Sequence, residues 1–175
     1  MKNILLFFLL TAVMIMPLAA FGQQETAEEP EKVEQGGEFS VLAGFDLASG
    51  DEVDASILLD HSVTLINLWA TTCPACINKL PQLEQLSRQL PEGAGILGIV
   101  VDGEHRSDDA REILEMTGVG FLNINPSRTM FRLLQRTAPY VPATVIVDSG
   151  GNVVYGPHYG GQDIETYMRE LEKHL

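Results

Sequence analysis

The sequence is poor in the residue types on which several classes of protein depend. Its 175 residues contain only two cysteines and four histidines, and 11 basic side chains stand against 24 acidic ones, giving a net charge of −13. This charge argues against nucleic acid or an anionic lipid surface as a partner. A structural zinc site needs four ligands at close spacing, and the sequence has no His-x₃₋₅-His pair. We therefore predict no metal site of that kind.

One long apolar run lies at the N-terminus. Residues 4–16 are nearly all apolar and follow Lys2, and residues 20–22 offer a small-x-small cleavage pattern. A charged start, an apolar core and small residues are typical of a signal peptide. The wider apolar stretch, residues 4–21, is also close to the roughly 18–20 residues that a membrane-spanning helix needs. We therefore predict that residues 1–22 are a signal peptide or an N-terminal anchor, and that the protein is extracytoplasmic (cell envelope, periplasm or secreted).

The next segment is too polar to form a core. Residues 23–38 contain six glutamates, one lysine and two glycines, with almost nothing to bury. This composition predicts an acidic disordered spacer. Residues 39–175 are enough for one domain with a proper core. They contain no convincing oligomer interface, so we expect a monomer.

Strand-like and helix-like patterns alternate through residues 39–175. Continuous apolar, β-branched runs predict buried strands, whereas apolar residues at helical spacing predict helices. The predicted strands are 63–69, 95–101, 121–124 and 142–148, with a hairpin in 39–54 and a return strand at 153–155. The predicted helices are 74–90, kinked at Pro81, then 107–116, capped by Ser107 or Asp108, 127–135 and 163–174. This order predicts an α/β domain with a mixed central sheet flanked by helices.

The two cysteines are separated by two residues, between a strand-like run and a helix-like one. A disulfide across so short a loop constrains the unfolded chain little, so Cys73 and Cys76 indicate a redox centre rather than a structural bridge. A thiol at a helix N-terminus lies near unsatisfied N–H groups and the positive end of the dipole, which favours the thiolate. We predict that Cys73 attacks a disulfide and that Cys76, one turn further into the helix, resolves the mixed disulfide.

Two stretches of the sequence resemble a known family. Residues 67–76 read NLWATTCPAC, and residues 141–151 read VPATVIVDSGG. Both resemble the thioredoxin superfamily, and most of all its TlpA/ResA-like branch of exported thiol–disulfide oxidoreductases. The resemblance covers nearly all of residues 39–175. It implies a thioredoxin-like fold with an N-terminal β-hairpin and a central helical insertion.

The resemblance also implies roles for residues around the cysteines. In the family, the peptide bond at the position of Val141 and Pro142 is cis and lies beside the cysteine pair. The backbone of Val141 would then pair with an extended substrate strand, and Trp69 would flank the active site. The sequence alone shows only an X-Pro bond, and an aromatic residue that could equally pack in the core.

The sequence departs from the family pattern at two places. Cytoplasmic thioredoxins carry an aspartate where this chain has Asn67, so another group should manage protons for Cys76. The TlpA/ResA-like branch has a glutamate after its central strand, which implies Glu104 as a general acid/base; the alternative is a solvated loop carboxylate. The family more often has glycines in residues 138–141, where this chain has Pro139, which predicts a stiffer loop.

The leading functional hypothesis is an enzyme that reduces disulfides in exported proteins. Substrates in the family include apocytochrome c, and a membrane electron carrier of the CcdA/DsbD type would re-reduce the cysteine pair. No cofactor is expected. Two alternatives stay open: a thiol oxidase that installs disulfides, and a binding or copper-delivery module that uses the cysteine pair with a histidine such as His158. The reduction potential separates the first two, and titration with Cu(I) tests the third.

Overall fold

The computed structural model of the protein describes residues 36–175. The predicted signal peptide or anchor and the predicted spacer, apart from its last three residues, lie outside the described residues. The strands are β1 (Ala43–Asp46), β2 (Glu52–Asp54), β3 (Val63–Trp69), β4 (Ala94–Val100), β5 (Asn123–Pro126), β6 (Ala143–Asp148) and β7 (Val153–Tyr159). The helices are α1 (Pro74–Ser87), α2 (Gly103–Thr117), α3 (Arg128–Thr137) and α4 (Ile164–Glu172).

The strands form one mixed sheet in the order β2-β1-β5-β4-β3-β6-β7. Strand β4 runs parallel to β3 and β5, whereas β6 is antiparallel to β3 and β7. The N-terminal pair β1–β2 is the predicted hairpin. The segment between β4 and β6 carries α2, β5 and α3 and supplies the predicted central helical insertion. The predicted α/β class with a thioredoxin-like mixed sheet is therefore confirmed.

The apolar side chains of the central strands divide between the two faces of the sheet. Leu65 of β3 and Ile146 of β6 pack with helices α1 and α4. Ile66 and Leu68 of β3 pack on the opposite side with α3. Because side chains alternate along a strand, Asn67 shares the face of Leu65 and lies under α1.

The helices differ from the sequence prediction mainly at their ends. Helix α1 ends at Ser87, and its helical segment continues through Pro81. Helix α2 begins at Gly103, four residues earlier than predicted, but Arg106 has non-helical backbone angles (φ −137°, ψ 31°). The cap signal read at Ser107 therefore marks the restart of the helix after this break, and Asp102 occupies the N-cap of the first turn.

The described chain begins along the turn that joins β6 to β7. Gly37 N–H donates to the carbonyl of Gly150 at 3.0 Å, and Phe39 N–H donates to that of Gly151 at 2.9 Å. A Cβ atom on Gly37 would lie 2.1 Å from the backbone nitrogen of Asn152, so this close approach requires glycine. The start of the domain is thereby fixed at the β6–β7 end of the sheet.

Within residues 36–175, none of the helices combines the length and the apolar character needed to cross a membrane.

Candidate active site

The cysteine pair lies where β3 passes into α1. Strand β3 ends at Trp69, and Cys73 is the N-cap of α1. Cys73 and Cys76 form a disulfide with their Cα atoms 5.2 Å apart. Cys76 is 1% exposed, whereas Cys73 is partly exposed. An attacking group could therefore reach the sulfur of Cys73 before that of Cys76.

The start of α1 places a hydrogen-bond donor beside the outer sulfur. The backbone N–H of Cys76 donates to Sγ of Cys73 at 3.2 Å. Pro74 occupies the first turn, where a missing N–H breaks no helical hydrogen bond. The N-terminal end of a helix stabilises a negative charge by about 0.3–1 kcal/mol. On reduction, this position favours the thiolate of Cys73.

The loop before Cys73 is held by Asp102, a residue to which the sequence analysis assigned no role. The backbone N–H of Thr71 donates to both carboxylate oxygens of Asp102, at 3.0 and 3.1 Å, and the hydroxyl of Thr71 donates at 2.7 Å. The parallel pairing of β3 with β4 makes this contact possible, because the carboxyl ends of both strands meet at one edge. In the sequence, the only indication of this contact was an aspartate that directly follows a predicted buried strand.

Trp69 packs behind the cysteine pair. Its side chain is fully buried in a cluster that contains Cys76 and Leu80. Its indole N–H donates to Oδ1 of Asn123 at 2.9 Å. The structure therefore places Trp69 in the core beneath the site, and not at the surface where a docked substrate would touch it.

The loop before β6 reaches the same cluster. The Val141–Pro142 peptide bond is cis, as the resemblance implies. Val141 packs against the cluster that contains both cysteines. Tyr140 is 71% exposed, and its ring meets that of Tyr159 edge to face with centroids 5.8 Å apart. The second cis bond, Gly156–Pro157, lies in β7 and was not predicted.

Glu104 lies on the first turn of α2, and its carboxylate is exposed. It accepts a hydrogen bond from Arg128 at 3.3 Å. It lines an open groove with Val101, Asn125 and Phe131, and neither cysteine is among the described residues that line this groove. The role of Glu104 as a general acid/base stays a prediction, and a Glu104→Gln variant would test it.

The structure adds one charged group that the sequence analysis did not name. Lys79 of α1 is only 5% exposed. Its ammonium donates to Oγ1 of Thr144 at 3.1 Å, to the carbonyl of Gly160 at 3.2 Å and to the hydroxyl of Tyr167. Burial lowers the pKa of Lys79 from 10.5 to about 8. The available signal was its position on the apolar face of the helix, three residues after Cys76 and next to Leu80.

Comparison with known proteins gives a consistent result. The family model called Redoxin matches residues 40–166. The thiol:disulfide interchange protein DsbE of Yersinia pestis is 24% identical over 175 residues, which cover 96% of this chain and 87% of that relative. The DsbE homolog of Paracoccus denitrificans is 32% identical over 124 residues, which cover 68% of this chain and 65% of that relative.

Solved structures share the fold at lower identity. A thiol:disulfide interchange protein of the thioredoxin family from Chlorobium tepidum superposes with a TM-score of 0.66 at 17% identity, covering 80% of this chain and 97% of that one. A secreted disulfide oxidoreductase of Mycobacterium tuberculosis, described as homologous to DsbE, gives a TM-score of 0.63 at 17% identity, covering 78% of this chain and 97% of that one. The overall fold of this chain is thus one seen in solved proteins.

Proposed function

We propose, on the premise that this chain belongs to the Redoxin family, that it reduces disulfides in exported proteins. The chain is a TlpA/ResA-like thiol–disulfide oxidoreductase with thiol:disulfide interchange relatives and a CxxC-spaced cysteine pair. The observation that supports the proposal most is the graded exposure of this pair at a helix N-terminus, with Cys73 outside and Cys76 inside. The direction of electron transfer, the class of substrate and the location of the protein are the parts that we propose.

The reducing cycle starts from the dithiol. The thiolate of Cys73 attacks one sulfur of the substrate disulfide, and the other substrate sulfur leaves as a thiolate that takes up a proton. Cys76 then loses its proton and attacks Sγ of Cys73, which breaks the mixed disulfide and releases the second substrate thiol. Two electrons pass from the cysteine pair to the substrate. The product is the Cys73–Cys76 disulfide, the form that the structure holds.

The loop before β6 gives the substrate a place to dock. Residues 139–142 lie outside the strands, and Val141 packs beside the cysteine cluster. An extended peptide could pair with the backbone of Val141 while its cysteine lies over Sγ of Cys73. The exposed ring of Tyr140 would then contact residues next to the substrate cysteine.

The apolar segment at residues 4–16 supports an extracytoplasmic location, in the periplasm or at the cell envelope. Oxidised exported proteins, apocytochrome c among them, would be the substrates. Because each turnover leaves a disulfide, a membrane electron carrier of the CcdA/DsbD type would have to restore the dithiol. The net charge of −13 agrees with a protein partner rather than nucleic acid.

A peptide with an intramolecular Cys-x-x-Cys disulfide tests the proposal. We expect the reduced protein to reduce this peptide, Cys73→Ser to lose the activity, and Cys76→Ser to accumulate a mixed disulfide through Cys73. The reduction potential then tests the direction: a value near about −270 mV is expected for a reductant, and one near about −120 mV would identify an oxidant instead. Full activity in Cys73→Ser would exclude the mechanism altogether.

A further inference from the structure

A polar layer lies in the sheet directly under the helix that carries the cysteines. Asn67 of β3 and Thr144 of β6 are cross-strand partners, and both side chains are buried. They share the face of Leu65 and Ile146, which pack with α1 and α4. Oδ1 of Asn67 has no hydrogen-bond partner among the described residues. The layer at the position of a family aspartate is therefore polar but carries no negative charge of its own.

Lys79 brings a positive charge into this layer from α1. Its three acceptors come from β6, from the loop after β7 and from α4. The ammonium also lies 4.8 Å from the centre of the Tyr167 ring. In the part of the chain that the structure describes, no carboxylate lies within ion-pairing distance of Lys79. The charge is therefore solvated by hydroxyls, a carbonyl and a ring.

Lys79 is connected to two parts of the active site: the loop at Pro142 and the first turn of α1, which carries Cys76. The carbonyl of Gly160 accepts from Lys79, and the N–H of the same residue donates to the carbonyl of Pro142 at 2.9 Å. Lys79 also follows Cys76 by three residues, so the two side chains are neighbours on the helix surface. Long helical side chains run back over the preceding turn, and Lys79 lines a shallow depression together with Ala75.

We propose that Lys79 is a positioning residue for thiol–disulfide exchange, which ties α1 to β6 and to the loop at Pro142 and whose charge favours the thiolate of the reduced pair; this rests on the proposed function. A cation near the dithiol stabilises the reduced form when it is ionised. It therefore lowers the thiol pKa and raises the reduction potential. Through its charge, Lys79 thus helps to deprotonate the thiols, a role that the uncharged Asn67 cannot fulfil.

The influence of Lys79 on the thiol pKa and the reduction potential should depend on pH, because burial lowers the pKa of Lys79 to about 8. Below this pH the ammonium keeps its charge, and above it the influence on the thiols fades. The titratable groups around it are Tyr167 of α4, Asp163 at the N-cap of α4, His158 opposite Thr144 on β7, and Cys76 on its own helix. Neither Asn67 nor Thr144 contributes a titratable group.

The full-length variant Lys79→Met tests the proposal, with the exposed Lys173→Met as the matched loss of charge. Two quantities are measured: the thiol pKa, from the ultraviolet absorbance of the thiolate against pH, and the equilibrium constant with glutathione. We expect Lys79→Met to raise the thiol pKa. We also expect it to shift the equilibrium about tenfold towards the disulfide, which corresponds to about 30 mV for a two-electron couple. Lys173→Met should change neither quantity.

The outcomes separate this inference from the proposed function. If the wild-type pair does not exchange with glutathione, the proposed function fails. If it exchanges and Lys79→Met keeps the wild-type pKa and potential, Lys79 is only structural and the inference is overturned, even if stability falls. Should Lys79→Met not fold, Tyr167→Phe decides: it removes one acceptor, keeps the ring and should shift both values in the same direction by less. Unchanged values in folded Tyr167→Phe would then overturn the inference.

Discussion

At the scale of single residues, burial decides what Lys79 and Trp69 contribute. Trp69 is enclosed with its indole N–H satisfied by Asn123, so it supports the cysteine pair from inside. Lys79 is enclosed with its charge intact below its lowered pKa. Cys73 and Cys76 were predictable because their spacing and their place at a helix start are local properties of the sequence. Lys79 was not, because Tyr167, which contacts it, lies 88 residues further along the chain.

Lys79 also makes a prediction about stability. Between pH 8 and about 10, the folded protein releases the Lys79 proton while the unfolded chain, with the ordinary pKa of 10.5, keeps it. Because the unfolded state then binds more protons, the free energy of unfolding should rise with pH in this window. Burial raises the pKa of Tyr167, so its ionisation acts in the opposite direction above pH 10.

Urea unfolding of the oxidised protein at several pH values measures this effect, since disulfide-bonded cysteines do not titrate. The Lys79→Met variant provides the reference and should lack the rise. An equal rise in wild type and Lys79→Met would show that other groups cause it.

At the scale of elements, Asp102 joins the start of α2 to the loop that precedes α1. Its carboxylate accepts three hydrogen bonds from Thr71. A hydrogen bond to a charged group contributes about 1.5–3 kcal/mol. Asp102→Ala should therefore lower the free energy of unfolding by about 2 kcal/mol. It should also slow peptide-disulfide reduction, because the loop no longer fixes Cys73.

Asp109→Ala is the matched control for this experiment. Asp109 is also on α2, but it forms only an exposed ion pair with Arg106, and such pairs contribute about 0–1 kcal/mol. Urea unfolding and single-turnover reduction of the peptide provide the two readouts. Equal effects of the two variants would mean that the Thr71 contact does not hold the loop.

The sequence indicated some elements more closely than others. Strands β3, β4 and β6 lie within one residue of their predicted bounds, because continuous apolar runs identify buried strands directly. Helix α2 was displaced because Ser107 resembles a cap, whereas Arg106 is the residue that breaks the helix. Strand β5 was predicted two residues early, because only two of its residues pair with β4 and its pairing with β1 depends on a strand far away in sequence.

At the scale of the whole molecule, the sheet separates the cysteine pair from the hydrophobic cluster that packs on its opposite face. The cysteines and Leu80 share one cluster on the α1 side. Leu134 of α3 packs on the opposite side with Ile66 and Leu68. Both leucines are buried, so Leu80→Ala and Leu134→Ala should each cost about 2–5 kcal/mol of unfolding free energy.

Only one of these two variants should affect the redox reaction. Leu80→Ala leaves a cavity beside Cys76 and should change the rate of peptide-disulfide reduction and the thiol pKa. Leu134→Ala should leave both at wild-type values under conditions where the protein stays folded. The comparison uses denaturant unfolding for stability and single-turnover kinetics for activity. A rate loss of the same size in both would mean that global stability, and not local packing, governs exchange.

The hydrogen bonds of Gly37 and Phe39 to the β6–β7 turn place the start of the domain beside the C-terminal end of β6. Strand β6 runs from Ala143, next to Pro142, to Asp148 at that turn. At about 3.3 Å per residue, the five steps from Ala143 to Asp148 separate the two ends by roughly 17 Å. The domain thus starts near one end of β6, and thiol–disulfide exchange takes place near the other end. A fluorophore attached at Ser40 would accordingly report on unfolding from the far end of β6, without obstructing a partner that docks over Cys73.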